Sequence, residues 1–446
     1  MQTRCAIRRK LKMNKPQSPN SDFQKVSNKR ITASLLIFLE LLISTSSFAD
    51  SNIGACTTVT DSKSLLRCAI ENHPDVLQAK RSLDQSIKKQ ELASQIPNPQ
   101  LSGRTLFGQS LGDSIVETEV SLVQPIFIGG TISSRVEQTE AQSLEIGAQV
   151  LSQKEKAARL TVGQIHRTRQ LNVELEITNE TIETFNKILK QFRSKVTLSP
   201  EQKASLNVFE MVRSDFILRR SQMLREKEQI SLFFNISTGI QFSDIQKFVP
   251  NSVSWPNITF PTSKEDLNQY SGSALQIPRM DLKVAQATHE LAKSNSWPTI
   301  RVGPSFSFNQ QGGVRYPNYG FSLSFDLPIF NVNGGGRSYT RAGIARAEGN
   351  LEMKVKNLSA GMKQLIKNYT ITVDALKNAS SMSTLTSKHH KLESLFIRGL
   401  ISPALVIEAH RQMLDYAINK HSQEQRALEL LWTLYAIRGT IMEETP

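Results

Sequence analysis

The sequence is poor in the residues that build large dry cores. Aromatic residues make up 7% and apolar residues 39% of its 446 positions. A chain of this length would ordinarily form two or three globular domains, each around its own buried core. Because apolar side chains are scarce, we do not expect a large dry core.

Motifs of catalysis and cofactor binding are absent as well. The sequence has no Gly-x-Ser-x-Gly, no His-Glu-x-x-His and no evident pair of catalytic carboxylates. The glycines at 334–336 lack the Lys-Ser/Thr of a phosphate-binding loop. His389 and His390 are adjacent, so they would point about 100° apart on a helix, and His410 and His421 are far apart in sequence. We predict no enzyme activity, no cofactor and no metal site.

The positive charge is not arranged as in a nucleic-acid-binding protein. The formal net charge is +14, and about half of it belongs to the first 49 residues. Downstream, both signs are interspersed, which is typical of an ordinary protein surface. No nucleic-acid partner is expected.

The N-terminus has the parts of an export signal. A basic start is followed by an apolar stretch at 31–43 and by small residues at Ser47 and Ala49. The apolar stretch is shorter than the roughly 20 residues of a bilayer-spanning helix, which argues against a membrane anchor. We predict a signal peptide at 1–49 and a mature chain that begins at Asp50.

Cysteine is rare, with three residues in the whole chain. Removal of the leader would remove Cys5 and leave Cys56 and Cys68 in an oxidising compartment, where a disulfide is favoured. Residues 53–56 read Ile-Gly-Ala-Cys, so Cys56 could instead carry a lipid anchor. Polar residues just before this segment favour the disulfide, but both alternatives stay open.

The most informative feature is a two-fold internal repeat. VQPIF at 123–127 corresponds to DLPIF at 326–330, and KVTLSP at 195–200 corresponds to RGLISP at 398–403. The same offset of 203 residues separates Pro125 from Pro328 and Pro200 from Pro403. We therefore divide the mature chain into a first repeat at 50–235, a linking segment at 236–273, and a second repeat with the C-terminal segment at 274–446.

Each repeat contains one long predicted helix and two shorter ones. The long helices cover 131–194 and 337–397, and the shorter ones cover 61–95, 203–234, 274–296 and 403–437. A coiled-coil seam is predicted at Leu144, Leu151, Ala158, Ile165, Leu171, Leu175, Ile182, Leu189 and Phe192. The first long helix would measure about 96 Å, and the shorter helices of each repeat together match the long one. Any helical hairpin would share the seam, but these lengths favour the wall of a long tube.

Several short segments alternate between apolar and polar residues, as strands do. The clearest is FSLSFDL at 321–327, and 300–309 and 116–122 alternate similarly, whereas a strand near Leu101 is assigned from the repeat. Runs of this length with one apolar face are typical of transmembrane β-strands. Four strands cannot close a barrel, and open edges in lipid would leave amides unsatisfied. We therefore expect three chains that together supply twelve strands.

In their order, these motifs resemble the TolC-like outer-membrane factor family over nearly the whole mature chain. The resemblance rests on NHP at 72–74, PNPQL at 97–101, QPIFIGG at 124–130, LPIFN at 327–331 and GGG at 334–336. It implies a mixed α/β membrane protein, with a trimeric 12-stranded β-barrel of four strands per chain continued by a long α-helical coiled-coil tunnel. It also implies a homotrimer in outer-membrane lipid that serves as the passive exit duct of a tripartite efflux or type I secretion system. Its partners would be a periplasmic adaptor protein and an inner-membrane pump.

The resemblance further implies roles for particular residues. The swivel between barrel and tunnel would comprise Pro97, Pro125, Gly129, Gly130, Pro298 and Pro328. The turns that contact the adaptor would include Lys195, Leu198, Arg398, Gly399 and Leu400. Two gate aspartates of the family fall on Leu405 and Glu408, so only one carboxylate is kept. Ordinary exposed turns and a solvated glutamate are the alternatives.

The sequence also bears on an alternative function and on the transported substrate. A periplasmic helical scaffold without a barrel is the main alternative function, since it would share the helices but not the alternating strands. The segments PIFN at 328–331 and GLIS at 399–402 slightly favour the metal-cation efflux branch over the drug and protein-secretion branches.

Overall fold

The computed structural model describes residues 56, 59–110, 112–311 and 313–446. The predicted signal peptide at 1–49, its cleavage site and the first three residues of the possible lipobox lie outside the described residues. Within the described part, strands from both halves of the chain join in one sheet, and long helices continue from it.

The two halves have similar orders of elements. The first contains α1 (Ser62–Glu71), α2 (Pro74–Ala93), β1 (Gln100–Ser110), β2 (Asp113–Phe127), α3 (Thr131–Arg193) and α4 (Pro200–Thr238). The linking segment contains the short helices α5 (Phe242–Ile245) and α6 (Lys264–Leu267), with a 3₁₀ turn at Gln246–Phe248. The second half contains α7 (Ser273–Ser294), β3 (Thr299–Gln311), β4 (Val314–Phe325), α8 (Gly334–Asn378), α9 (Met382–Ile397) and α10 (Pro403–Arg438).

The first predicted helix is interrupted at His73. The sequence pattern predicted one helix over 61–95, whereas α1 ends before Asn72 and α2 starts at Pro74. Proline has no amide hydrogen and restricts the preceding residue to extended backbone, and His73 has φ −60° and ψ 132°. The His73 Nδ1 accepts a hydrogen bond from the amide of Asp75 at 3.3 Å, so the interruption is also a capped helix start.

The long helix of the second half is interrupted as well. We predicted one helix over 337–397, whereas α8 ends before Ala379 and α9 begins after Ser381. Ala379 has extended backbone with ψ 145°, and the Ser381 hydroxyl accepts a hydrogen bond from the amide of Thr384 at 3.2 Å. Serine favours such N-cap positions because its hydroxyl competes for backbone donors in a helix interior. The equivalent helix α3 runs unbroken for 63 residues, about 94 Å.

The four strands form one antiparallel sheet in the order β1-β2-β3-β4. Val120 lies opposite Gly103 on one side and Phe306 on the other, and Phe306 lies opposite Tyr319. Opposed residues share a face, so this register collects the predicted apolar positions of the strands on one side of the sheet. Because β1 and β4 are the edges, their outer sides carry unpaired amides and carbonyls in a single chain.

Helix α3 is the central element of the helical body. Helices α2 and α7 pack against it near the sheet, and α4 and α10 pack against it farther away. Near the sheet the contacts involve small polar side chains, since the hydroxyls of Ser86 and Ser143 lie 3.0 Å apart. At the far end, Phe185 packs edge-on against Phe209 and Phe216. The aromatic core therefore lies away from the sheet.

The predicted seam of α3 is correct for most of its length but not near the sheet. From Ala158 onward the predicted residues are buried as far as Leu189. Leu144, however, is 41% exposed, and the neighbouring positions Ala141 and Ala148 are buried instead. Alanine at these positions lets α2 and α7 approach closely, which a strict heptad of leucines would prevent.

The linking segment holds the middle of the helical body together. Residues 239–272 connect α4 to α7 and cross α8, where the Tyr369 hydroxyl donates to the Pro256 carbonyl at 2.9 Å. The Ser359 hydroxyl donates to the Thr262 carbonyl at 2.6 Å. Trp255 is partly buried against the apolar cluster that contains Tyr369. Among the described helices, none combines the length and the apolar character that crossing a membrane would require.

Candidate functional site

One face of the sheet is apolar and exposed. Its exposed apolar side chains are Leu101, Phe107, Val120, Leu122, Phe308, Tyr319, Phe321, Leu323 and Phe325. The opposite face is mainly polar, with Arg104 paired to Glu119 at 3.1 Å and the hydroxyls of Ser102 and Ser121 2.7 Å apart. Leu106 and Tyr316 are exposed apolar exceptions on that face. Contiguous exposed apolar surface marks an interaction with lipid or protein, and this alternation is that of a strand between lipid and water.

The turn from β2 into α3 depends on two glycines. Gly129 and Gly130 have φ values of 69° and 74°, in the left-handed region that other residues rarely adopt. A Cβ atom on Gly129 would also collide with the ring of Trp297. Since Trp297 directly precedes Pro298 and β3, the segments of the two halves that were predicted to form the swivel lie against each other here.

The prolines of the predicted swivel lie where strands begin, end or lose a partner. β2 continues through Pro125, beyond its predicted end, but β1 pairs with β2 only as far as Val123. Beyond that point only β3 pairs with β2, so a residue without an amide donor costs the sheet less. The Pro97 carbonyl, just before β1, accepts a hydrogen bond from Gln124 at 2.8 Å. Pro328 is exposed between β4 and α8.

The two predicted tip turns lie side by side at the end of the helices away from the sheet. The ring of Phe209 is 6.1 Å from that of Phe192, before the first turn, and 6.2 Å from that of Phe396, before the second. The tip residues Lys195, Arg398, Gly399 and Leu400 are exposed, and Leu198 is half-buried.

The second tip turn requires its glycine. Gly399 has φ 71°, and its amide donates to the Phe396 carbonyl at 2.8 Å. The first turn has Val196 at the corresponding position, and this side chain is 100% exposed. The structure thus brings both predicted tips to one end of the molecule, each with an exposed apolar residue.

The two predicted gate residues lie near the start of α10. Leu405 is 46% exposed. The Glu408 carboxylate accepts hydrogen bonds from Arg411 at 2.6 Å and from Gln412 at 2.7 Å. The Glu408 and Arg411 side chains are 42% and 54% exposed. The carboxylate predicted to form the gate is therefore half of an ion pair. This pair was not predicted, although a spacing of three residues on a helix permits it.

Comparison with solved structures identifies this architecture, although no protein-family model and no curated protein matches the chain. CusC has a TM-score of 0.60 at 14% identity, over 87% of this chain and 95% of its own. The open-state MtrE outer membrane channel of Neisseria gonorrhoeae has a TM-score of 0.61 at 15% identity, over 86% and 90%. The Campylobacter jejuni CmeC outer membrane channel has a TM-score of 0.63 at 13% identity, over 84% and 85%.

The likeness covers more than four fifths of the chain in each case. The chain has a TolC-like fold. Four antiparallel strands per chain and long helices agree with the predicted fold class, which is confirmed. In this TolC-like fold the sheet and the tip turns lie at opposite ends of α3.

A cluster of polar side chains lies between α9 and α10 of the TolC-like fold. It was not predicted from the sequence. The Oε1 atom of Glu393 lies 3.5 Å from His389 Nε2 and 3.1 Å from His410 Nε2. The two imidazole rings are 4.2 Å apart and nearly perpendicular. Exposure is 7% for His389 and 1% for His410. His410 is distant from His389 in sequence, but the turn at 398–402 folds His410 back onto α9.

A second buried polar group joins α3, α4 and α10. Arg167 donates to both oxygens of Glu174, at 2.7 and 3.0 Å, and to Glu226 at 2.7 Å. The His421 Nδ1 lies 2.7 Å from Glu174 Oε1. Burial alone would raise the pKa of Glu174, but hydrogen bonds from His421 and Arg167 more than offset it, so the pKa is lowered. This network fixes three helices of the TolC-like fold to one another.

Proposed function

We propose that this protein is the outer-membrane exit duct of a tripartite efflux or type I secretion system and performs no catalysis. The observation that carries the proposal is a sheet with one exposed apolar face, continuous with a helix about 94 Å long. In an outer membrane the apolar face would contact lipid and the polar face would line water. The helices would then extend into the periplasm.

Closure of such a barrel requires further copies of the chain. The outer sides of β1 and β4 are unpaired within one chain, and each unsatisfied backbone group in lipid costs several kcal/mol. If β4 of one copy pairs with β1 of the next, three copies form a twelve-stranded wall with no free edge. The proposed assembly is therefore a homotrimer.

Membrane extraction of the full-length protein tests this function against the helical-scaffold alternative. A barrel stays in washed membranes at high salt, requires detergent for release, migrates as a cross-linked trimer and conducts ions in planar bilayers. Release by salt without conductance would establish the scaffold instead.

A matched pair of variants tests which face meets lipid. Phe321 lies on the apolar face and its neighbour Ser322 on the opposite one. Phe321→Asp should prevent recovery of the membrane-embedded trimer, because a carboxylate in lipid is destabilising, whereas Ser322→Asp should assemble normally. The reverse result would contradict the assignment of the faces.

The tip turns are the proposed docking points for the periplasmic adaptor. Leu400 is 65% exposed beside Arg398 and Gly399, which suits an interface that buries one apolar anchor within a polar rim. A photoreactive amino acid at Leu400 should cross-link to the adaptor in cells. Tyr339, 81% exposed near the sheet, is the control and should not. Equal cross-linking to the adaptor at both positions would contradict docking at the tip turns.

Glu408 is proposed to narrow the periplasmic end of the duct together with Leu405. In a trimer, Glu408 and its partner Arg411 would recur three times around the axis, so the ring would be close to neutral. Removal of either charge would expose the other, and three like charges in a narrow ring set ion preference. An exposed pair of this kind is worth about 0 to 1 kcal/mol, so its loss should leave assembly intact.

Planar-bilayer selectivity tests the gate with variants of opposite sign. Glu408→Gln should shift the reversal potential toward anions, and Arg411→Gln should shift it toward cations. Both shifts should grow at low salt, because the Debye length increases from about 8 Å at physiological ionic strength. Glu429→Gln is the control, since Glu429 pairs with Arg426 on the same helix far from the tip. If all three variants match the parent, the gate lies elsewhere.

Metal cations are the proposed cargo, on the basis of the segments at 328–331 and 399–402. A strain that lacks the protein should then lose tolerance to metal salts before tolerance to drugs. Drug sensitivity with unchanged metal tolerance would assign the protein to the drug-efflux branch instead.

A further inference from the structure

We propose that His389, Glu393 and His410 form a binding site for a divalent transition-metal ion of the zinc class. This differs from our expectation from the sequence, which predicted no metal site. In a tetrahedral site with bonds of about 2.1 Å, neighbouring ligand atoms are about 3.4 Å apart. Glu393 Oε1 lies 3.5 and 3.1 Å from the two imidazole nitrogens, and the three atoms all lie within 4.8 Å of one another. The ligands are thus spaced for one shared ion.

The orientation of His410 leaves one nitrogen available to a cation. Its Nδ1 lies 2.9 Å from the Val406 carbonyl, which can only accept, so Nδ1 carries a proton. A neutral His410 then presents the lone pair of Nε2 to the Glu393 carboxylate. Either a second proton on His410 or a cation between the two groups removes this repulsion. A histidine that donates from its other ring nitrogen to a backbone carbonyl is also the common arrangement in metal sites.

The donor set selects the class of ion. Two imidazoles and one carboxylate suit Zn²⁺ and neighbouring transition metals, whereas Mg²⁺ and Ca²⁺ prefer oxygen ligands. The Glu393 side chain remains 19% exposed, so water could reach an ion held by this group. Its other oxygen lies 3.4 Å from His390 Nδ1, which orients the carboxylate.

The position of the site indicates what a bound ion would do. Two ligands come from α9 and one from α10, so the ion would join these helices just inside the tip turn at 398–402. His410 lies two residues beyond Glu408, so the same bond would fix the start of α10, where the proposed gate lies. Binding of an ion by the folded chain can be measured without any transport assay.

Metal binding to the purified full-length trimer in detergent, stripped with a chelator, tests the proposal. Co²⁺ and Zn²⁺ are added, and stoichiometry, the tetrahedral Co²⁺ absorption band and affinity against a chromogenic chelator are measured. We expect one ion per chain. His389→Gln, Glu393→Gln and His410→Gln should each weaken binding at least tenfold. His421→Gln is the matched control, because His421 is also buried on α10 beside a carboxylate, Glu174.

The outcomes separate the alternatives. Absence of binding to the parent protein, or equal affinity in all variants, would overturn the proposal and leave His410 as a hydrogen-bonded partner of Glu393. Loss of binding in His390→Gln but not in His389→Gln would also overturn it, since the ion would then occupy the neighbouring Glu180, His390 and Glu393 group. If His410→Gln fails to assemble, the more accessible His389→Gln gives the decisive measurement. Metal binding by the chelator-stripped parent protein is measured without conductance. Failure of the metal site can therefore be distinguished from failure of the proposed channel function.

Discussion

His166 should make the helical body less stable in mildly acidic solution. Its ring is fully buried on α3, and neither ring nitrogen has a hydrogen-bond partner among the described residues. Burial lowers the pKa of His166 from 6.5 to about 3, and the positive charge of Arg169 acts in the same direction. The unfolded chain therefore binds a proton below pH 6.5, whereas the folded chain does so only near pH 3. Stability is lost as the pH falls through this window.

The two pKa values set the size of the effect. Between pH 7 and pH 5 the His166 contribution to the free energy of unfolding falls by about 2 kcal/mol per chain. His166→Leu replaces the titrating ring with an apolar side chain and removes two unsatisfied polar atoms. Because such a replacement in a buried site is close to neutral, the variant should be at least as stable as the parent at pH 5.

Urea unfolding of parent and His166→Leu trimers, followed by circular dichroism of the helices at pH 7, 6 and 5, measures this difference. Refolding from urea establishes that the transitions are at equilibrium. The parent should lose stability more steeply than the variant, and the gap should widen as the pH falls. Parallel pH profiles would show that His166 is already protonated or solvated in the folded state, and the reasoning from its burial would be refuted.

Two further predictions concern covalent and ionic links in the helical body. Cys56 and Cys68, whose Cα atoms lie 6.2 Å apart, should form a disulfide after export, so reduction should add two hydrogens to the intact mass; a lipidated N-terminus at Cys56 would contradict this. Glu174→Gln should destabilise the trimer by roughly 3 kcal/mol because it leaves Arg167 and His421 without their buried partner. Glu226→Gln should cost under about 1 kcal/mol, since that carboxylate is 41% exposed and Arg167 keeps Glu174. Equal losses in unfolding measurements on these two variants would refute the ranking.

The features that sequence predicted well are those encoded locally. Alternation such as FSLSFDL at 321–327 indicates a two-faced strand wherever it occurs, and the common offset of Pro125 and Pro328 indicates two copies of one unit. The helix breaks are also encoded by local residues, namely Pro74 and the serines at 380–381. The helical pattern continues on both sides of each break, so it predicts unbroken helices over 61–95 and 337–397.

Contacts between elements could not be predicted in the same way. The nearness of His410 to His389 depends on how far α10 folds back after the turn at 398–402. The exposure of Leu144 depends on Ala141 and Ala148 of α3, which are buried in its place where α2 and α7 pack near the sheet. The spacing of Glu408 and Arg411 permits their ion pair, but the family resemblance implies a role for the carboxylate alone. The roles of the tips and of the gate remain predictions, because they depend on partner chains.

The interruption at 379–381 gives the two halves of the chain different mechanical properties. In α3 every bending force is resisted by an unbroken series of backbone hydrogen bonds over 63 residues. Between α8 and α9 this series stops, and the Ser381 cap starts a new one. We therefore expect the second half to bend more readily at this short joint, which lies between the linking segment that crosses α8 and the histidines of α9 and is bridged to α10 by the Tyr416 hydroxyl, 2.6 Å from the Ser380 carbonyl. A load on the second tip would be absorbed at this joint, whereas a load on the first would be carried along α3 to the glycine turn beside the sheet.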